Sequence, residues 1–437
     1  MVSNLYSLPK KIAMRLPLLW LLLSSLPAFA QVPTLEISGA NFRAEPLGFP
    51  RVIETNPSTQ NLAEELDKLL LFDFGASGLF RLLDRASFLA PADEPANNII
   101  ASAWLNVGAE SVIKVQLNLN QEQQLEAHLR LFRSSSGRLE FETSAKGGPN
   151  DIRKIGHQLA NAVYRHYTAE EGPFLKKIAF VKTTGQRRNV YIADWDGNNA
   201  QALTQTNINL LPAFTSNNQA VAFTSYDSGN PDIVMKQPGG KTTTLVAKKT
   251  MATGVAFSKN GKWMAWAQAE GESTQLWLAT AHGKEARKLT QTPFLLNTSP
   301  NFTPDGKNLV FVSNRAGGPQ LFLMDLEKNA VRRLTFQGNY NQTPKVSPKG
   351  DWVAFTARDE KRRFDIFITH LQTGEVRRVT QDQGDNEEPS FSPDGRLLLF
   401  VSNRLGSSHI FVSTLDGKVQ LPLPLERSHL ATPIWSN

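Results

Sequence analysis

The sequence predicts an α+β protein, in which a small N-terminal α/β domain is followed by a six-bladed β-propeller closed by the C-terminal strand. Three observations support this. From about residue 174, four short apolar runs return every 43 to 45 residues. The last copy stops after one run, and the first copy lacks that run. Residues 31–170 instead mix helical and strand periodicity. A constant four-strand period is typical of propeller blades and disfavours a series of sandwich domains.

The first domain contains two predicted helices among several short strands. Leucines at 62, 66, 69 and 70 share one helical face, and Ser58 or Thr59 is the predicted cap. The other predicted elements are a strand or turn at 80–83, a strand or helix at 99–105, an antiparallel pair at 112–119 and 125–132, and a helix from Asp151. A Glu-Glu-Gly-Pro linker at 170–173 then leads into the repeat.

Each blade opens on an apolar residue that marks the repeat. These residues are Phe214, Phe257, Phe302, Val346, Phe391 and Trp435. Between the first and second strands lie Asn260-Gly261, Asp305-Gly306 and Asp394-Gly395, pairs that tolerate the positive φ of a tight hairpin. The single C-terminal strand is predicted to complete the first blade, which would remove exposed sheet edges.

The N-terminus resembles an export signal. Residues 1–30 contain no acid, and Lys10, Lys11 and Arg15 precede an apolar run that ends in Ala28-Phe29-Ala30. This layout predicts a signal peptide cleaved between Ala30 and Gln31, and hence a periplasmic protein. An uncleaved membrane anchor is the alternative, although the run is shorter than the ~20 residues that a bilayer span needs.

Composition excludes several classes of protein. The 437 residues contain no cysteine, so disulfides, thiolate metal sites and a cysteine nucleophile are ruled out. The net charge of +7 first points to an acidic partner. Three of those charges lie in residues 1–30, which leaves +4 on residues 31–437. An excess this small does not predict nucleic-acid binding.

Motifs for catalysis are missing from the sequence. It has no H-E-x-x-H, G-x-S-x-G or G-x-G-x-x-G pattern. Gly240-Lys241-Thr242 imitates the end of a phosphate loop, but Met235 stands where that loop needs glycine. The cluster Asp385, Glu387 and Glu388 fits a cation site, a carboxylate pair or an ordinary solvated loop. We therefore predict no enzymatic activity, no metal and no cofactor.

One face of the propeller is the candidate binding surface. In a propeller, the loops that lead into each first strand surround one mouth of the central channel. Their amide, hydroxyl, acidic and small apolar groups suit a peptide or protein loop. The candidate residues are Asn209, Leu210, Met251, Ala252, Thr253, Asn297, Thr298, Asn341, Gln342, Asn386, Glu387, Leu430 and Ala431.

The blade motifs resemble those of the TolB family, periplasmic propeller proteins of the Tol–Pal envelope system. The similarity includes F-S-P-D-G at 391–395, L-V-F-V-S-N-R-A-G-G-P-Q-L-F at 309–322 and R-L-T at 333–335. In the first domain, L-L-D-R at 82–85 is similar to the family pattern, and the resemblance covers nearly the whole chain. Blade motifs alone also occur in peptidase-type propellers, but no hydrolase domain follows the blades here.

The resemblance implies a protein-binding scaffold that acts in outer-membrane integrity and in constriction during cell division. It implies that the channel mouth binds the outer-membrane lipoprotein Pal. It also implies that the inner-membrane protein TolA binds a flexible arm at 31–43, including Val32, Leu35, Glu36 and Ile37. A monomer is expected, and other envelope partners are left open. The sequence departs from the family pattern at Met251, Val255 and 345–346.

Two other functions fit a secreted propeller. A periplasmic hydrolase or lyase would need carboxylates or histidines clustered inside the channel. A glycan-binding protein would need aromatic side chains at the mouth, where only Tyr340 and Phe294 are near.

Overall fold

The computed structural model describes residues 43–247 and 250–437. They form an α+β protein with one mixed sheet and six four-stranded sheets, which confirms the predicted fold class. The predicted signal peptide, its cleavage site at Ala30 and Gln31, and Val32, Leu35, Glu36 and Ile37 of the arm lie outside the described residues. Among the helices that are described, none is long and apolar enough to cross a bilayer.

The N-terminal domain packs helices against a mixed sheet. Its elements are β1 (Glu45–Gly48), β2 (Ile53–Glu54), α1 (Gln60–Ala76), β3 (Phe80–Leu82), α2 (Ala101–Asn106), β4 (Ser111–Leu119), β5 (Leu125–Arg133), β6 (Arg138–Gly147) and α3 (Ile152–Thr168). The order β3-β1-β4-β5-β6 is parallel around β1 and antiparallel from β4 to β6, and β2 pairs with β4. Apolar faces of α1 and α3 supply the core.

Two local predictions needed refinement. Neither Ser58 nor Thr59 caps α1 with its side chain; instead Asn56 accepts the backbone N–H of Ser58 at 3.0 Å, at the start of a preceding 3₁₀ turn. The undecided segment at 99–105 forms α2, which begins at Ala101 and buries Trp104.

The propeller follows from Lys177 onward. Its strands are β7 (Lys177–Thr184), β8 (Arg187–Asp194), β9 (Gln201–Ala202), β10 (Asn209–Phe214), β11 (Val221–Ser225), β12 (Asp232–Lys236), β13 (Thr242–Val246), β14 (Ala252–Phe257), β15 (Trp263–Glu270), β16 (Ser273–Thr280), β17 (Arg287–Lys288), β18 (Asn297–Phe302), β19 (Asn308–Ala316), β20 (Gly318–Asp325), β21 (Val331–Arg333), β22 (Asn341–Val346), β23 (Trp352–Arg358), β24 (Phe364–His370), β25 (Val376–Arg378), β26 (Asn386–Phe391), β27 (Leu397–Ser402), β28 (His409–Thr414), β29 (Gln420–Pro422) and β30 (His429–Trp435).

The C-terminal strand closes the ring. Blade 1 has the order β30-β7-β8-β9, and blades 2 to 6 each contain four consecutive strands. Antiparallel pairing of β30 with β7 joins Leu430 to Lys182 and Trp435 to Ile178. The innermost strand of the first blade therefore comes from the opposite end of the propeller sequence, and no blade is left without an inner strand.

The N-terminal domain lies against one face of the propeller, which we call the junction face. This face consists of the turns between first and second strands and between third and fourth strands. Tyr164 on α3 donates to Asp394 at 2.6 Å, and Lys349 pairs with Glu170 at 2.8 Å. One apolar core runs from α1 and α3 into blades 1 and 6. The opposite face, where the inner strands begin, is called the open face.

Candidate functional site

Six bulges line the open-face half of the central channel. The register shifts once in every inner strand, and the shift coincides with a residue of positive φ. These residues are Leu211, Gly254, Ser299, Thr343, Glu388 and Thr432. The residue after the bulge is proline in five of the six inner strands, and in β14 it is Val255. A bulge re-aims neighbouring side chains, and this repeated bulge encloses a narrow cavity of about 110 Å³.

The predicted binding residues lie at the starts of the inner strands, except Met251, which immediately precedes β14. Four of them, Asn209, Asn297, Asn341 and Asn386, are almost fully buried and join neighbouring blades. Asn341 Nδ2, for example, donates to Gln320 Oε1 at 2.8 Å, and that same oxygen accepts from Thr335 at 2.7 Å. Equivalent triads connect the other three asparagines to the preceding blade. The side-chain NH2 groups of all four asparagines therefore donate within the protein, whereas the buried Oδ1 of Asn209 has no donor among the described residues.

The other predicted residues divide by exposure. Ala252 and Leu430 are buried, with 0% and 2% of their surface exposed. Met251 is 46% exposed and immediately precedes β14. The half-buried members are Leu210, Thr253, Thr298, Gln342, Glu387 and Ala431. Their predicted contact with a partner stays a prediction, and Met251 and these half-buried residues are the ones available for it.

The open face also carries apolar side chains that the sequence analysis did not select. Phe294 and Phe336 are each 74% exposed and lie in loops between blades. Leu296 and Leu405 are also exposed, the latter in the loop between β27 and β28. Large exposed apolar side chains grouped on one face mark protein-binding surfaces. From the sequence, Phe294, Leu296 and Phe336 could have been identified only by their position in loops between blades, and Leu405 only by its position in a loop between the second and third strands of a blade.

Two opposite charges line the channel itself. Lys345 and Glu388 are both channel-lining residues, on β22 and β26. Glu388 accepts the backbone N–H of Thr432 at 2.5 Å. Burial raises the pKa of Glu388, although that hydrogen bond and Lys345 oppose the rise. Burial lowers the pKa of Lys345, and Glu388 opposes that shift.

The acidic cluster at 385–388 does not converge on one point. Asp385 accepts the backbone N–H of Phe364 at 3.1 Å, whereas Glu388 enters the channel. Glu387 remains half-buried, and burial together with Glu388 and Asp385 raises its pKa to about 7. Among the residues that the structure describes, no three His, Asp or Glu side chains are grouped to hold a metal ion.

The fold defines the chain as a six-bladed β-propeller protein with an N-terminal α/β domain packed on one face of the ring. The family model described as "TolB amino-terminal domain" matches residues 33–138, and that described as "TolB beta propeller domain" matches residues 164–437. The chain belongs to the TolB family.

Relatives and a solved structure agree with this assignment. The chain is 48% identical over 349 residues to "Tol-Pal system protein TolB" of Myxococcus xanthus (strain DK1622), covering 79% of this chain and 81% of the relative. It is 35% identical over 421 residues to the protein of that name from Anaeromyxobacter dehalogenans (strain 2CP-C), covering 95% and 96%. The crystal structure of TolB from Acinetobacter baumannii matches the fold with a TM-score of 0.78 and 24% identity, covering 90% of this chain and 97% of that one.

Proposed function

We propose that this protein is a non-catalytic periplasmic scaffold of the Tol–Pal system. In this proposal it links a TolA-like inner-membrane protein to a Pal-like outer-membrane lipoprotein, and so supports outer-membrane integrity and constriction at division. The observation that carries the proposal is the separation of the two faces. The N-terminal domain occupies the junction face, while the open face exposes Met251, Phe294 and Phe336 around a narrow channel.

The open face is the proposed site for the lipoprotein. Its exposed apolar side chains lie on the same face as half-buried polar positions such as Thr298 and Gln342, and protein interfaces combine apolar contacts with direct hydrogen bonds. A channel cavity of about 110 Å³ is smaller than the ~300–1,000 Å³ of small-molecule sites, which favours a protein partner over an enzyme substrate.

The proposed TolA-like partner binds the arm at 31–43, which precedes β1. Support comes from family membership and from the apolar residues Val32, Leu35 and Ile37 in an otherwise polar segment. If the arm is available in one state and held in another, lipoprotein binding biases that equilibrium, and the coupling is reciprocal. Removal of residues 31–43 should therefore change affinity for both partners; unchanged affinity for both would contradict this switch.

A photo-crosslinker placed in living cells tests the open-face site. Incorporated at Thr298 or Gln342, it should capture an outer-membrane lipoprotein, identified by mass spectrometry. With purified proteins, Met251→Asp and Phe294→Asp should weaken binding of that lipoprotein about ten-fold or more, since charge in an apolar contact is costly.

A matched control distinguishes a binding defect from general damage. Leu89 in the N-terminal domain is 62% exposed, and Leu89→Asp introduces the same charge there. This variant should bind the lipoprotein as tightly as the unchanged protein does. Failure to capture any outer-membrane lipoprotein, or equal weakening by Leu89→Asp, would overturn the proposed site.

A further inference from the structure

Arg358 presents a guanidinium group that no described residue satisfies. It ends β23 at the open face and packs against two adjacent aromatic rings, 4.9 Å from the centre of Tyr340 and 5.0 Å from that of Phe364. Its Nε is buried and has no hydrogen-bond acceptor among the described residues. A buried polar atom without a partner is uncommon in folded proteins and calls for an explanation.

Two other open-face arginines have their acceptors inside the protein. Arg315 in blade 4 donates to Asn297 at 2.9 Å, and Arg404 in blade 6 donates to Asn386 at 2.6 Å. In blade 5 the nearby carboxylates pair with Arg378, which is 2.9 Å from Asp359 and also bonds Asp365. These carboxylates therefore do not accept hydrogen bonds from Arg358, although its guanidinium stacks on aromatic rings of the same region.

Arg358 lines a groove at the rim of the open face. The groove has a volume of about 660 Å³ and runs between the loop after β21 and blade 5. Phe336, 74% exposed, forms part of its wall. A volume of this order accommodates a side chain with its neighbours on a short peptide.

We propose that this groove binds a carboxylate side chain of the outer-membrane partner, with an adjacent apolar residue of that partner against Phe336. The inference rests on the proposed function, because it assumes that a protein docks on the open face. A guanidinium packed against two adjacent rings keeps its fork geometry and can offer two parallel N–H bonds to a carboxylate. The rings also exclude water from the side of the guanidinium that faces them, which strengthens such a bond.

The inference is tested with the full-length protein and the purified periplasmic domain of its outer-membrane lipoprotein. Arg358→Gln should weaken binding by about ten-fold or more, since a hydrogen bond to a charged group is typically worth 10- to 100-fold. Arg358→Lys keeps the charge but loses the fork, so it should give an intermediate loss. Arg363→Gln is the matched control: Arg363 is exposed in the same loop, and its backbone N–H, which bonds Asp359 at 2.8 Å, is retained.

The acidic residues of the lipoprotein provide a second test. Each Asp or Glu on the lipoprotein is changed to the amide, and one of these changes should be non-additive with Arg358→Gln. If Arg358→Gln binds the lipoprotein as tightly as the unchanged protein does, the proposed carboxylate site in the groove is wrong. The same holds if Arg363→Gln weakens binding equally. Either result would leave the proposed function intact. Absence of binding by the unchanged protein would instead overturn the proposed function.

Discussion

Asp73 and His157 form a buried pair at the joint between the two domains. His157 Nδ1 on α3 lies 2.8 Å from Asp73 Oδ2 on α1, and Asp73 is 0% exposed. From the propeller, Trp195 Nε1–H points to the same nitrogen at 3.3 Å, and Asp196 Oδ2, which bonds Arg153, is 3.8 Å from His157 Nε2. Asp73 Oδ1 has no hydrogen-bond donor among the described residues. The carboxylate therefore depends on His157.

The pair makes stability depend on pH in one direction. Burial raises the pKa of Asp73 from 3.8 to about 6, against the opposing charge and hydrogen bond of His157. Burial lowers the pKa of His157, but the charge and hydrogen bond of Asp73 and the charge of Asp196 outweigh this, so the net shift is upward. Since both pKa values exceed those of the unfolded chain, the folded state holds more protons, and its stability falls as pH rises.

The contributions of the two groups have different pH windows. The His157 contribution is complete below its ordinary pKa of 6.5 and is lost as pH rises through the raised value. The penalty for ionising buried Asp73 accumulates between about pH 4 and 6. About two pKa units at 1.36 kcal/mol each give a penalty of about 3 kcal/mol.

Substitution of the histidine isolates this effect. At pH 7, His157→Gln should reduce the free energy of unfolding by about 3 kcal/mol, because loss of one partner of a buried pair typically costs ~3–5 kcal/mol. The pKa of Asp73 then rises further, since His157 no longer lowers it. At pH 5.5 the carboxyl of the variant is therefore protonated, and the loss should shrink, but only in part, because the His157 contribution that the variant also lacks is complete at this pH. Asp73→Asn/His157→Gln removes both titrating groups, so its loss relative to the unchanged protein should be larger at pH 5.5 than at pH 7, because the pair stabilises the unchanged protein more at the lower pH.

Urea unfolding at pH 5.5 and 7 measures these differences. Circular dichroism and tryptophan fluorescence should be followed together, because a two-domain protein need not unfold in one step. Equal destabilisation by His157→Gln at both pH values would refute the reasoning. So would a double variant whose loss equals the sum of the two single losses.

Three further predictions concern the ring and the junction. Deletion of 429–437 should leave β7 unpaired on its inner side and lower the melting temperature by about 10 °C or more; an unchanged melting temperature would contradict closure by β30. Asn341→Ala, which loses the 2.8 Å bond to Gln320, should cost about 1–3 kcal/mol in urea unfolding, whereas Gln342→Ala should cost little. Tyr164→Phe removes the donor to Asp394 and should cost about 1–3 kcal/mol, and a calorimetric trace identical to the unchanged protein would argue against that contact as a domain tie.

The architecture could be predicted because the repeat is long and regular. Six starts at nearly constant spacing left few alternatives to a propeller, and the missing inner strand of the first copy identified the closing strand. The edge strand β6 was not predicted, because Arg138–Gly147 exposes polar side chains and lacks the clear alternation of a half-buried strand. The segment at 99–105, for which both strand and helix were predicted, contains helix α2, and its Trp104 is buried against Val112 and Phe132.

The candidate site was less predictable than the fold, because the same residue types occur in binding surfaces and in contacts between blades. An asparagine at the start of an inner strand could donate to a partner or to the previous blade. The choice depends on whether Gln320 and Thr335, distant in sequence, reach it. Phe336 and Arg358 were missed for a related reason: loops between blades have no periodicity, and the missing acceptor of Arg358 is visible only when its surroundings are known.

The closing strand touches both faces, and this limits how they can influence each other. Near the open face, Thr432 of β30 donates its backbone N–H to Glu388; at the other end, Trp435 stacks on Trp195 with ring centres 6.0 Å apart. Trp195 in turn contacts His157 of the N-terminal domain. Along its length, β30 also pairs with β7, at Leu430 and at Ile434. If a partner at the channel mouth moves Glu388, the register of β30 and the junction contacts are the first structures that must respond, so the proposed coupling between the two partners is best measured at Trp195.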